Sequence, residues 1–432
     1  MYEKMIDHIC ELIEIESISG DPEGEYPFGR GPYEALEKSL EICRSLGMRT
    51  KKCGNYTGYA EVGEGEKLVA VLAHLDVVPS GEGWKTPPFK GTVSDGRLYG
   101  RGALDDKGPA MAAVYAVKDL AEEANSEGRP LGKRIRIIFG CSEEKGEWKD
   151  MEYYLATEEK PDAGFTPDAD FPLIFAEKGI AEIVISFKES SGGIISVQGG
   201  DAVNMVPASC TSKIMLSDGS QSEITGYGIS AHGSTPGKGR NAIADLMGKI
   251  AQLNDAGKCS SEFAEFYMRY FSYTTDGSLS GCFMEDDVSG PITVNPGLIY
   301  MKGDEISLHL DVRYPVTYTG EAVIEGLREK MKAEVESGKA EIKILADDKP
   351  MYARKDSHLV QTLLNAYRNV TGDRSEPAAI GGGTYAKAMD NIVAFGPVFP
   401  GRECTEHQSN EYVEIDDLYM ARKIYKEALK HL

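Results

Sequence analysis

The chain has 432 residues, more than one ordinary core takes up, so two domains are expected. Its formal net charge of -22 and the lack of a basic stripe exclude a nucleic-acid-binding role, and its 41% hydrophobic content is that of a soluble globular protein. No apolar run approaches the roughly 20 residues of a membrane span, and the acidic, amphipathic start MYEKMIDHICELIEIES is no secretory leader, so a cytoplasmic location and no membrane partner are expected. The eight cysteines are scattered without a CxxC pair, a pattern of reduced buried thiols and not of a disulfide framework or thiolate metal site.

In chain order, residues 68–73 (LVAVLA) form an uninterrupted apolar run that breaks into HLDVVP, as a buried parallel strand does at its C-terminal end. GRGALDDKGP follows at 100–109, and a helix is expected over 107–124 with Pro109 in its first turn. RIRIIFGC at 134–141 reads as another strand, and SEE follows at its end. Ligand-type residues at the carboxyl ends of strands are what an open α/β sheet offers its substrate.

From about 187 to 350 the texture changes. Strand-like pieces at 213–218 and 305–316 mix with helical ones at 240–256 and 320–337. The α/β texture then returns with a helix at 356–371, the loop GGGTYAK at 381–387, a strand at 391–398, EHQSNE at 406–411 and a closing helix at 416–431. The fold class expected is α/β. A discontinuous catalytic domain (1–186 and 351–432), with a mixed, largely parallel sheet flanked by helices, is interrupted by an α+β lid of two small subdomains at 187–350.

The chemistry lies in the motifs. His74 and Asp76 sit two apart on extended chain and share a face, so His74 can bind a metal while Asp76 orients it through a carboxylate hydrogen bond. Asp105 and Asp106 are adjacent on irregular backbone: Asp105 is read as bridging two metals, Asp106 as a helix cap or backbone anchor. Of Glu143 and Glu144, one can bind metal and the other can face the attacking water. Asp168, between two prolines, can be a terminal ligand, with Asp170 as competitor, and His407 would come from the returning domain. Nitrogen and oxygen donors without sulfur favour two zinc ions, with manganese or cobalt as alternatives. In the inserted region, His232 among glycines can stabilise an oxyanion, and Asn204 and Arg313 can hold a substrate carboxylate, Arg313 through a bidentate fork. The backbone N–H groups of Gly382, Gly383 and Thr384 can form an anion nest.

Together HLDVVP, GRGALDDKG, SEE and SAHGSTP resemble the co-catalytic metallopeptidase family of glutamate carboxypeptidases, succinyl-diaminopimelate desuccinylases and aminoacylases, over nearly the whole chain. RGALDDKGP, GFTPDADFP and AEKG look most like its dipeptidase V branch. The resemblance implies His74, Asp105 and Asp168 on one metal, and Asp105, Glu144 and His407 on the other. It also implies Glu143 as general base, Asp76 as partner of His74, His232 as oxyanion stabiliser, substrate contacts by Asn204 and Arg313, and a cis Asp105–Asp106 peptide bond. The function expected is hydrolysis of dipeptides from the amino end, with an N-acyl amino acid amidohydrolase as the alternative. The long insertion can supply its own His232, so a monomer is expected in place of a dimer.

Overall fold

The structure is a computed structural model and describes residues 2–146 and 148–432. The chain divides into two compact units. The first comprises Met1–Phe175, Ala353–Ala378 and Thr384–Leu432; the second comprises Ala176–Tyr352 and Ala379–Gly383.

The first unit is built on a mixed sheet. Its strands run in the order Arg49–Cys53, Thr57–Val62, Arg134–Gly140, Leu68–His74, Ala163–Thr166, Ile392–Ala394 and Ile174–Glu177. Leu68–His74 is parallel to both its neighbours, and Ile392–Ala394 is parallel to Ala163–Thr166, whereas the outer pairings are antiparallel. Every residue of Leu68–His74 is buried, which is why it reads as a continuous apolar run without alternation. The helix Lys107–Ser126 packs on this strand and on the closing helix Ile415–His431, with Leu418, Ala421, Tyr425 and Leu429 buried. A small ribbon of Thr92–Ser94, Arg97–Tyr99 and Tyr412–Glu414 pairs the returning chain with the segment that precedes Asp105.

The second unit holds one antiparallel seven-stranded sheet, in the order Gln221–Tyr227, Ser209–Met215, Ile194–Gly199, Thr293–Lys302, Glu305–Tyr314, Gly179–Lys188 and Ala340–Asp348. Helices Ala242–Asp255, Glu262–Tyr270 and Gly320–Lys330 add Leu246, Phe263 and Leu327 to a core with Ile185, Phe187, Leu308 and Leu310. The expectation of two small subdomains is therefore corrected: one sheet and one hydrophobic cluster run through the unit. The expected boundary at 186/187 also falls inside a strand. Gly179–Lys188 pairs on one side with Glu305–Tyr314 and on the other with Ala340–Asp348, so its hydrogen bonds tie it to the inserted sheet.

Candidate metal centre

His74 ends its strand opposite Gly140, the last residue of the parallel neighbour, so the turn that carries Glu143 and Glu144 starts beside it. Asp168 follows the strand on the other side. Three of the expected ligands thus come from adjacent carboxyl ends of one sheet, the crevice in which open α/β folds bind ligands.

Asp105 sits at the middle of the cluster. Its Oδ1 is 2.8 Å from His74 Nε2, and its Oδ2 is 3.0 Å from His407 Nε2. His407 Nε2 is also 3.1 Å from Glu144 Oε2, and His74 Nε2 is 3.8 Å from Asp168 Oδ2. The Asp105–Asp106 peptide bond is cis, as the resemblance implies. Ligand atoms of His74, Asp105 and Glu144 lie within 4.8 Å of one another, as do those of His74, Glu143 and Asp168. All five expected ligands and Glu143 are therefore neighbours. The competitor Asp170 is exposed, on a short strand paired with Pro397–Val398.

The hydrogen bonds of His74 show that this arrangement fits a cation. Its Nδ1 faces the Asp76 carbonyl oxygen at 2.9 Å, an atom that can only accept, so Nδ1 carries the proton. Nε2 faces the Asp105 carboxylate at 2.8 Å, a contact met by the second proton of an imidazolium, which Asp105 and Asp76 favour, or by a cation held between the two. Glu144 Oε1 and Asp106 Oδ1 are also buried without a hydrogen-bond donor among the described residues. Burial pushes Glu143 and Asp168 well above the usual carboxylate range; burial and the Asp105 charge raise Glu144 to about 7. Burial lowers His407, but the hydrogen bonds that its imidazolium donates to the Asp105 and Glu144 carboxylates override it and hold the imidazole at about 11. Divalent cations would relieve this crowding of acids, and the donor set of imidazoles and carboxylates suits them.

One expected role is corrected, and one open alternative is decided. Asp76 does not orient His74 mainly through its carboxylate, whose Oδ1 stands 3.5 Å from Nδ1; the backbone carbonyl does so. The carboxylate instead accepts the backbone N–H of Glu143 at 3.0 Å, that of Glu144 at 3.1 Å, and the Ser19 hydroxyl at 2.9 Å. Asp106 stands at the N-cap position of Lys107–Ser126 without capping it, because its Oδ2 accepts the backbone N–H of His74. The anchor reading of Asp106 is the right one.

Sequence reasoning missed Asp150 and Tyr385. Asp150, fully buried, accepts the backbone N–H of Cys141 at 2.6 Å and of Ser142 at 3.0 Å, and the Tyr385 hydroxyl donates to the same oxygen. Asp150 and Asp76 thereby hold four consecutive backbone N–H groups, residues 141 to 144. Asp150 gave no signal, since it stands in a charged stretch that reads as solvated surface.

In the second unit, Asn204 and His232 are exposed, and the Asn204 carbonyl accepts the N–H of Gly233 at 2.7 Å. The backbone N–H of Ser234 donates to His232 Nδ1 at 3.2 Å, which leaves Nε2 to carry the proton of the neutral ring. Three of the five N–H groups of Arg313 are engaged within the protein: Nε and Nη2 donate to Asp311 at 2.8 and 3.1 Å, and Nη1 to the Gly381 carbonyl at 3.1 Å. No nest of alternating backbone hands is present, because none of Gly381, Gly382 and Gly383 takes a positive φ. Thr384 caps the short turn Tyr385–Lys387 through its side chain.

Comparison with known proteins agrees with this geometry. The model of peptidase family M20/M25/M40 matches residues 70–431. "Putative dipeptidase YtjP" of Bacillus subtilis is 37% identical over 465 positions, covering 100% of this chain and 97% of its own. "Putative dipeptidase SH1171" of Staphylococcus haemolyticus is 36% identical over 467 positions, covering 99% and 97%. Among solved structures, the M20 family metallo-carboxypeptidase Sso-CP2 from Sulfolobus solfataricus superposes with a TM-score of 0.62 at 21% identity, over 99% of each chain. The Bacillus subtilis YXEP protein, a dinuclear metal binding peptidase, gives 0.57 at 14% identity over 100% and 99%. These two share the fold with this chain. With a family match over most of its length and relatives that align end to end, the chain belongs to peptidase family M20/M25/M40 and is a metal-dependent hydrolase of peptide bonds.

Proposed function

We propose that the protein is a dipeptidase of the aminopeptidase type. The observation that carries this reading is the Asp105 carboxylate, with one oxygen on His74 and the other on His407. His74, Asp105 and Asp168 would hold one divalent ion, and Asp105, Glu144 and His407 would hold the second; imidazole with carboxylate favours zinc over manganese or cobalt. Ions bound there would supply a water of lowered pKa and a Lewis acid for the scissile carbonyl.

Glu143 does the proton transfer. Its backbone is fixed by Asp76, so its side chain is held beside His74 and Asp168, where it takes a proton from the attacking water and returns it to the leaving amine. His232 donates Nε2–H to the developing oxyanion, the tautomer that the Ser234 N–H selects. Asn204 and the N–H groups of the Gly382–Thr384 segment bind the substrate carboxylate singly. Arg313 supports them through the Gly381 carbonyl. Names of relatives as dipeptidases support the substrate class. We further infer a monomer in the cytoplasm.

The test is turnover of a dipeptide panel by chelator-treated protein with zinc, manganese or cobalt added back. Free dipeptides should be cleaved only with added metal. Cleavage confined to acylated amino acids would replace this reading with the amidohydrolase one.

A further inference from the structure

Glu411 closes EHQSNE, and its side chain is fully buried although it is acidic. Its Oε1 accepts the backbone N–H groups of Leu104 at 2.9 Å, Gly102 at 3.1 Å and Asp105 at 3.2 Å. Its Oε2 accepts Arg101 Nη1 at 2.7 Å and the Gly102 N–H at 3.1 Å. Arg101, equally buried, donates through Nη2 to the carbonyls of Pro79 at 3.2 Å and Ser80 at 3.4 Å, with Trp84 under its guanidinium at 5.4 Å. One carboxylate therefore joins the ends of HLDVVP, GRGALDD and EHQSNE.

A purely structural acid would need only donors of any origin, because a buried carboxylate is unfavourable until its oxygens are met. Here the backbone donors all come from the turn that leads into Asp105 and from Asp105 itself. Gly102, at φ 88°, aims its N–H at both oxygens, and a side chain there would strike Lys107. The backbone carbonyl of Glu411 also accepts the Gly100 N–H at 3.0 Å. Four positions earlier on the same segment is His407, so the clamp sets the spacing between the imidazole and the carboxylate oxygen it faces.

We propose that Glu411 is a positioning residue for the metal centre, fixing the Asp105 carboxylate where both ions can share it and keeping His407 in register with it. This rests on reading Asp105 as the bridging ligand. Glu411→Gln keeps the volume but turns an amide donor toward a neighbour that also donates. Glu411→Asp keeps the charge and withdraws it by one methylene from the turn.

The experiment is equilibrium dialysis of chelator-treated protein against cobalt(II), with bound metal counted and the visible spectrum followed, alongside thermal unfolding of the metal-free forms. The wild type should take up two ions. Folded Glu411→Gln and Glu411→Asp should bind both about 10- to 100-fold more weakly with an altered spectrum. Wild-type affinities and spectrum in either folded variant, with only a lower melting temperature, would assign Glu411 to stability alone and overturn the role. Wild-type protein that takes up fewer than two ions would overturn the bridging reading itself.

Discussion

The Asp76 carboxylate holds the backbone N–H of Glu143 at 3.0 Å, so the residue read as orienting an imidazole also fixes the backbone of the proposed base. Its second oxygen does the same for Glu144. Asp76→Asn puts an amide donor against one of these two N–H groups. We expect kcat to fall about 10- to 100-fold with KM nearly unchanged at saturating metal. Steady-state kinetics decide it, and a wild-type kcat would show that the turn holds without this clamp.

Glu143→Gln and Glu144→Gln should separate proton transfer from metal retention. The first is expected to keep two ions per chain and lose about 10²- to 10⁴-fold in kcat. The second should lose metal on dialysis, because Glu144 is the carboxylate next to His407. Metal lost by Glu143→Gln and kept by Glu144→Gln would reverse the two assignments, and equal counts would refute the division of labour.

Burial holds the Asp150 carboxyl at about 6, above its ordinary 3.8. Between those values the folded chain keeps a proton that the unfolded chain has released. The contribution of this proton to stability is thus full below about pH 4 and lost as pH rises through about 6. The difference amounts to about 3 kcal/mol. Urea titrations of metal-free wild type and Asp150→Asn at pH 4 and pH 7 should show the wild type losing that amount relative to the variant. A gap between them that does not change with pH would refute the linkage.

All eight cysteines are free thiols, six of them buried, and burial pushes the Cys53 and Cys210 thiols up to about 12. A thiol reagent at pH 8 should label at most Cys10 and Cys404 quickly in the native protein, and all eight after unfolding. Rapid native labelling of Cys43 or Cys141, mapped by mass spectrometry, would contradict the packing.

Leu72 is wholly buried at the centre of the parallel strands. Leu72→Ala should cost about 2 to 5 kcal/mol in unfolding free energy. A loss under 1 kcal/mol would mean that the neighbouring strands close the gap.

How much of this was legible depended on the range of the interaction. The strand at 68–73 and the helix at 107–124 announce themselves through local pattern, and the structure has Leu68–His74 and Lys107–Ser126. HLDVVP and SEE could be placed because each lies at the end of such a strand, and GRGALDD because it leads into the helix. The single sheet of the second unit could not be read, since its order joins Gly179–Lys188 to strands more than a hundred residues on, and no local signal sets that pairing. The engagement of Arg313 was hidden by attention to a substrate, although Asp311 and Arg313, two apart on one strand, share a face. Asp150 and Glu411 needed the fold, for their partners are backbone groups that carry no residue identity.

The centre draws on His74 near the start of the chain and on His407 near its end, brought together on the two oxygens of Asp105. During synthesis the first of these leaves the ribosome long before the second. Until position 407 has been made, Asp105 lacks the imidazole that meets its second oxygen. On the proposed ligand set, a premature stop codon anywhere before position 407 is expected to yield a product without catalytic power, however well its early strands have folded.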